Sequence, residues 1–144
     1  MDAIEKNRIE EKLAQLDETL SILKEMVPQN YKEYEKAGKA LKWDIERGLQ
    51  LISEIEMDIA VILYKGLKKG IAGEEASILS ALSKEVGEGA VINLKERRKL
   101  RNELVHAYTI DNDSDAFKQA SDLNDVKRYE AKVKELLFKS AKEK

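Results

Sequence analysis

LKWDIERGLQLISEIEMDIAVIL, residues 41–63, is the stretch whose periodicity decides the fold. Leu41, Ile45, Leu49, Ile52, Ile59 and Ile62 recur at helical spacing, and Leu51, Ile55 and Leu63 widen the stripe. An apolar face that broad needs cover on two sides, which is the situation of a central helix in a bundle. Working outward, the helix is predicted from about Tyr31 to about Lys69. Gly38 and Gly48 lower its propensity without dividing it, and Gly66, Gly70 and Gly73 form its exit.

The neighbouring segments repeat the pattern. Ile9, Leu13, Leu16, Leu20, Leu23 and Val27 follow steps of four, three, four, three and four, a seam on a helix over roughly 3–27 that Pro28 ends. That regular a seam suits a partner helix within the fold or across a dimer. A third helix is predicted from about Glu74 to Glu85, with Ile78, Leu79 and Leu82 inward. GEGAV, 87–91, reads as a break, and Asn93 as the cap of the helix that follows. TIDNDSD, 109–115, reads as a polar turn. A last helix, about 115–141, turns Phe117, Ala120, Leu123, Tyr129, Val133 and Leu136 inward. No alternating strand pattern competes. The expected fold is all-α, a single helical bundle of about five helices forming one domain over 1–144.

Composition narrows the function classes. The 144 residues include no cysteine and one histidine, which excludes a disulfide scaffold, a thiol nucleophile and a multi-histidine zinc cluster. MDAIEKNRIEEK is charged from its second residue and is no secretory signal, and no apolar run reaches membrane-spanning length. A cytoplasmic protein without membrane contact is the expectation. Net charge is −2, yet KERRKLR, 95–101, carries five basic side chains and one acid, and 111–125 carries five aspartates against Lys118. Lys95, Arg97, Arg98 and Lys99 are therefore candidate phosphate contacts, although solvated helix faces account for the same charges. DNDSD, 111–115, lacks the glycine and glutamate of a calcium loop. GLKKG, 66–70, reads as an exit turn. Trp43 reads as a core or interface anchor, and nothing in the sequence favours a base-stacking role for it.

The one histidine lies in RNELVHAY, residues 101–108. Asn102 and His106 are four apart and share a helix face, whereas Arg101 and His106 diverge by about 140°. Imidazole exchanges protons near neutral pH, guanidinium offers a fixed donor fork for phosphate, Asn102 can orient, and Tyr108 adds a hydroxyl and a ring. Such a set meets the needs of RNA cleavage without a metal or cofactor. A base deprotonates the 2′-OH, that oxygen attacks phosphorus, and a cation balances the developing charge. Taken alone, the same residues fit a surface histidine, a basic face and a tyrosine anchor better than a catalytic set.

RNELVHAY resembles the Arg-x4-His-x-Tyr motif of HepT-like toxins, members of the HEPN superfamily of helical proteins. IERGLQLISEIEMDIA, 45–60, is similar to that family's second-helix pattern, with Glu46, Arg47, Leu49, Gln50 and Glu54 at its marks. The resemblance runs from Leu13 through Leu136. It implies a homodimeric endoribonuclease, the toxin of a toxin–antitoxin pair, with Arg101 and His106 catalytic and Asn102 and Tyr108 supporting. Glu46, Arg47 and Glu54 would line the cleft. The implied partners are RNA, a second copy and a nucleotidyltransferase-type antitoxin, which in some systems adds AMP to the tyrosine, here Tyr108. The aspartate-rich turn and the dense charge of 95–99 depart from the commonest pattern. A non-catalytic RNA- or protein-binding module of the same superfamily is the alternative.

Overall fold

The computed structural model describes residues 1–71, 73–105 and 113–142, with side chains through Lys139. The first helix, α1 (Ala3–Met26), starts at a capping box: Asp2 accepts from the Glu5 amide at 2.8 Å while Glu5 accepts from the Asp2 amide at 3.0 Å. Its seam is buried as the spacing predicts, at Ile9, Leu13, Leu16, Leu20 and Leu23. That seam lies against α3 (Lys39–Gly66), and the pairings Met1–Gly66, Lys12–Asp58 and Leu23–Gly48 make the two antiparallel. Gly48 is there because the helices nearly touch. A Cβ at that position would stand 2.6 Å from Leu23 Cδ2 and 2.8 Å from its Cγ.

The other face of α3 receives α6 (Glu88–Val105), also antiparallel, through the pairs Glu56–Arg97, Ser53–Arg98 and Glu54–Arg101. So α3 is covered on two sides, as its broad stripe requires. Short α2 (Tyr31–Lys36) sets the buried Tyr34 and its neighbour Tyr31 against Phe117 of α7 (Asp113–Ser121), with ring centroids 5.5 and 5.8 Å apart. Short α4 (Glu75–Ala81) lies against α6, where Glu75 meets Arg98 and Ser80 accepts from Lys95, and α5 (Ser83–Val86) returns to the exit of α3, where Lys69 pairs with Glu85. The last helix, α8 (Asn124–Lys142), packs Val126, Tyr129 and Val133 inward.

The all-α bundle stands, but the described residues form eight helices rather than about five. Three predicted helices are each split. Ala37 is extended (ψ 152°) and Gly38 becomes the N-cap of α3, so Gly38 does divide the long helix. Leu82, at φ −93° and ψ 1°, separates α4 from α5. Asp122 ends the α7 segment by accepting from the Asn124 amide at 3.1 Å, a local bond that competes with continued helix. The break at 87–91 shrinks to Gly87, whose φ of +97° only glycine adopts cheaply. The helix resumes at Glu88, so Asn93 lies inside α6 and caps nothing. Residues 113–115 of the expected turn form the first turn of α7.

Candidate active site

Arg101 sits on the last turns of α6 and is half-buried against α3. Its Nη1 donates to Asn102 Oδ1 at 3.1 Å and its Nη2 to Glu54 Oε1 at 3.4 Å. Its Nε is buried with no acceptor among the described residues. Three of the residues singled out from sequence, Arg101, Asn102 and Glu54, thus converge, with the guanidinium oriented by one carboxylate and one amide. A single carboxylate at that distance positions the charge and leaves part of the donor fork for a phosphate.

One turn earlier, Arg98 is clamped by Glu75 of α4, through Nε at 2.9 Å and Nη2 at 2.6 Å, and its Nη1 donates to the buried Ser53 hydroxyl at 3.2 Å. Glu46 and Arg47 lie farther along α3, toward the start of α7. Glu46 is half-buried, and burial, followed by the charge of Asp113, pushes its pKa up, while Lys42 opposes the shift. Lys42 itself pairs with Asp113 at 2.8 Å and donates to the Glu35 carbonyl at 3.0 Å. Arg47 is exposed, and its Nη1 reaches Gln50 Oε1 at 3.4 Å. The face so assembled has α6 and α3 as its two walls and the first turn of α7 at one end. His106 and Tyr108 follow in the chain and lie outside the described residues.

The 95–99 run does not form one patch. Arg97 points into the core at 3% exposure, where Nε donates to Glu56 at 2.8 Å and Nη2 pairs with Asp125. It is therefore removed from the candidate RNA contacts. Burial works against its charge, but Glu56 and Asp125 more than offset that, so its pKa lies above the usual arginine range. Burial pushes Glu56 the other way from an ordinary carboxylate, to about 7, with Arg97 pulling it back. The hydroxyl of Tyr129 donates to the Glu56 carbonyl oxygen at 3.0 Å, which ties α8 into the same cluster. Lys95 donates to the Ser80 hydroxyl of α4 at 2.7 Å. Lys99 lines a cavity of about 540 Å³ between α6, α7 and α8, shared with Glu96, Glu103, Asp122 and Arg128. That cavity opens well round α6 from Arg98 and Asn102.

Sequence reasoning missed the Glu56–Arg97–Asp125 cluster, although a signal existed. Val91, Leu94, Arg97, Leu100 and Leu104 run at steps of three, three, three and four, so Arg97 occupies a core position. Of the two places expected for Trp43, the core is ruled out, because the residue is 66% exposed in the single chain.

An antiparallel helical bundle with the Arg-Asn half of an Arg-x4-His-x-Tyr motif anchored on its central helix is the architecture of the HEPN superfamily. The ribonuclease HepT-like family model matches residues 16–134, and the chain belongs to that family. A tri-AMPylated HEPN toxin from Shewanella oneidensis, solved in complex with MNT antitoxin, shares the fold with a TM-score of 0.76. That likeness covers 97% of this chain and 99% of the other at 19% identity. No curated protein matches the chain by sequence. Among the described residues no helix is long and apolar enough to cross a membrane.

Proposed function

We propose that the chain, one HEPN-like domain over 1–144, is an endoribonuclease acting as the toxin of a toxin–antitoxin pair, without a metal or cofactor. The observation that carries this reading is the anchoring of Arg101 by Glu54 and Asn102 in a chain of the ribonuclease HepT-like family. RNA supplies its own nucleophile. His106 takes the 2′-OH proton, the 2′-oxygen attacks the adjacent phosphorus, and the 5′-oxygen leaves and gains a proton. Arg101 balances the charge that grows on the phosphoryl oxygens. The products are a 2′,3′-cyclic phosphate and a 5′-hydroxyl. DNA, without the 2′-OH, is not cut.

The active particle is a homodimer. By their spacing of five residues, Arg101 and His106 would diverge by about 140° on a continued helix, and a second copy closes the groove over the scissile phosphate. A nucleotidyltransferase-type antitoxin restrains it by transferring AMP from ATP to Tyr108, with release of pyrophosphate, as the tri-AMPylated relative suggests. The added bulk and negative charge repel RNA. One set of assays decides these points. Purified protein with divalent metals chelated should cut RNA, and His106→Ala should abolish cutting. Solution mass should be about twice 16.4 kDa, with activity tracking the dimer on dilution. Antitoxin plus ATP should add AMP mass at Tyr108 and stop cleavage. Wild-type rates from His106→Ala would sink the catalytic assignment. Full inhibition without tyrosine modification would replace the covalent step by simple occlusion. The second reading, a non-catalytic RNA- or protein-binding module, draws on the acidic total charge and the partial neutralisation of Arg101 by Glu54. It predicts binding without product.

A further inference from the structure

On α3 the residues Lys39, Trp43, Arg47, Gln50 and Glu54 fall within about 40° of one line along the helix surface by the 3.6-residue period. Glu54 at one end of that line holds Arg101. Trp43 stands eleven residues away, about 16 Å along the axis at 1.5 Å per residue. The residue is 66% exposed, and its ring meets no other ring or cation among the described residues. Lys39 and Arg47, one turn to either side, are exposed, and no salt bridge joins either to a described residue. Leaving a tryptophan this open forfeits a large burial gain, and a cation on each side makes the site unlike a plain apolar contact.

We propose that Trp43 is a stacking platform for a nucleobase of the RNA strand, a few nucleotides from the phosphate that Arg101 meets. Lys39 and Arg47 take the phosphates on either side of the stacked nucleotide. An aromatic face accepts any base, and the interleaving of ring and cations is what a single-stranded backbone requires. Duplex RNA, its bases already stacked, gains nothing from the ring. The half-buried Glu46 and the exposed Asp44 flank the line and confine the strand to it. The inference rests on the ribonuclease reading and adds a substrate subsite to it.

Trp43 is the chain's one tryptophan, so its fluorescence reports on this site alone. The full chain carrying His106→Ala, which leaves RNA intact, is titrated with a short mixed-sequence single strand and with a duplex of the same sequence. The single strand should quench the emission saturably, and the duplex should not. Adding Trp43→Ala should weaken single-strand binding about tenfold or more, while Trp43→Phe keeps most of the affinity. In the cleaving protein, Trp43→Ala should raise KM with kcat held at saturation. Binding seen by anisotropy with unchanged tryptophan emission, or unchanged affinity in Trp43→Ala, overturns the proposal. So does a loss of binding that comes with halved solution mass, since Trp43 would then be a contact between copies. No binding to any strand overturns it too. Trp43-dependent binding without cleavage by the His106 protein defeats the ribonuclease reading and leaves the stacking site standing.

Discussion

A guanidinium at 3% exposure must find compensation on every side, and Arg97 finds it in Glu56, Asp125 and, at 3.5 Å, Gln119. Removing one partner leaves the other charged groups stranded. Arg97→Met should cost about 3–5 kcal/mol in urea denaturation, because Glu56 then keeps its burial without its cation. Adding Glu56→Leu should recover much of that loss, since an apolar pair of similar volume escapes the desolvation penalty. A single substitution costing under about 1 kcal/mol, the ordinary range for an exposed ion pair, would show the cluster to be ornamental. At this scale the sequence misleads in a specific way. A run of basic residues reads as surface because charge usually is, and the stripe that runs through Arg97 is visible only when the charge is disregarded. Arg101 was easier, since its meaning comes from motif spacing rather than from environment. Its partner Glu54 followed from the second-helix pattern, but the bond between them is a fact of helix packing that no spacing supplies.

Between whole helices, the α1–α3 contact was the most legible. Its seam of leucines fixes which face of α1 is inward, and the breadth of the α3 stripe fixes that something else must cover the far side. What spacing cannot show is how near the axes come. Gly48 sets that distance, because any Cβ there meets Leu23, itself fully buried. Gly48→Ala should therefore destabilise by about 1–3 kcal/mol through overpacking, despite the roughly 1 kcal/mol that alanine returns in helix propensity. Leu23→Ala in the same chain should offset part of the loss, so the two changes together cost less than their sum. Strict additivity in thermal or urea unfolding would mean the helices slide apart freely and the contact is loose. Helix ends were less legible than helix faces. The breaks at Ala37–Gly38, Leu82 and Asp122 depend on one extended or capped residue each, and an apolar period runs through such a residue without registering it.

Taken whole, the bundle brings its first and last long helices to either side of a cleft of about 830 Å³, lined by Asp17, Ser21 and Lys24 of α1 and by Lys127, Glu130 and Lys134 of α8, with Asp122 at the linker. Glu130 is buried on that wall at 4% exposure, and its Oε2 has no partner that donates. Burial, followed by a hydrogen bond to Asp17 and that residue's charge, pushes its pKa up to about 8, while Lys134 and Lys127 pull it down. Tyr129 and Val133 on the same helix were legible as core from their period. Glu130, between them, was not, because an acid beside two lysines reads as rim. Its consequence is a slope of stability with pH. The folded value is raised, so between the ordinary carboxylate value of about 4.5 and about 8 the native protein keeps a proton that the unfolded chain has released. The stability contributed by that proton is complete below about 4.5, declines as pH rises through the window, and is gone above about 8. Glu130→Gln retains a donor for Asp17 and cannot ionise. Its unfolding midpoint should fall less than the wild-type midpoint between about pH 5.5 and pH 8.5, with the two curves farthest apart at the alkaline end. Parallel curves over that range would mean that Glu130 is ionised in the native protein and that the α1–α8 pair is held by Lys127 and Lys134 instead.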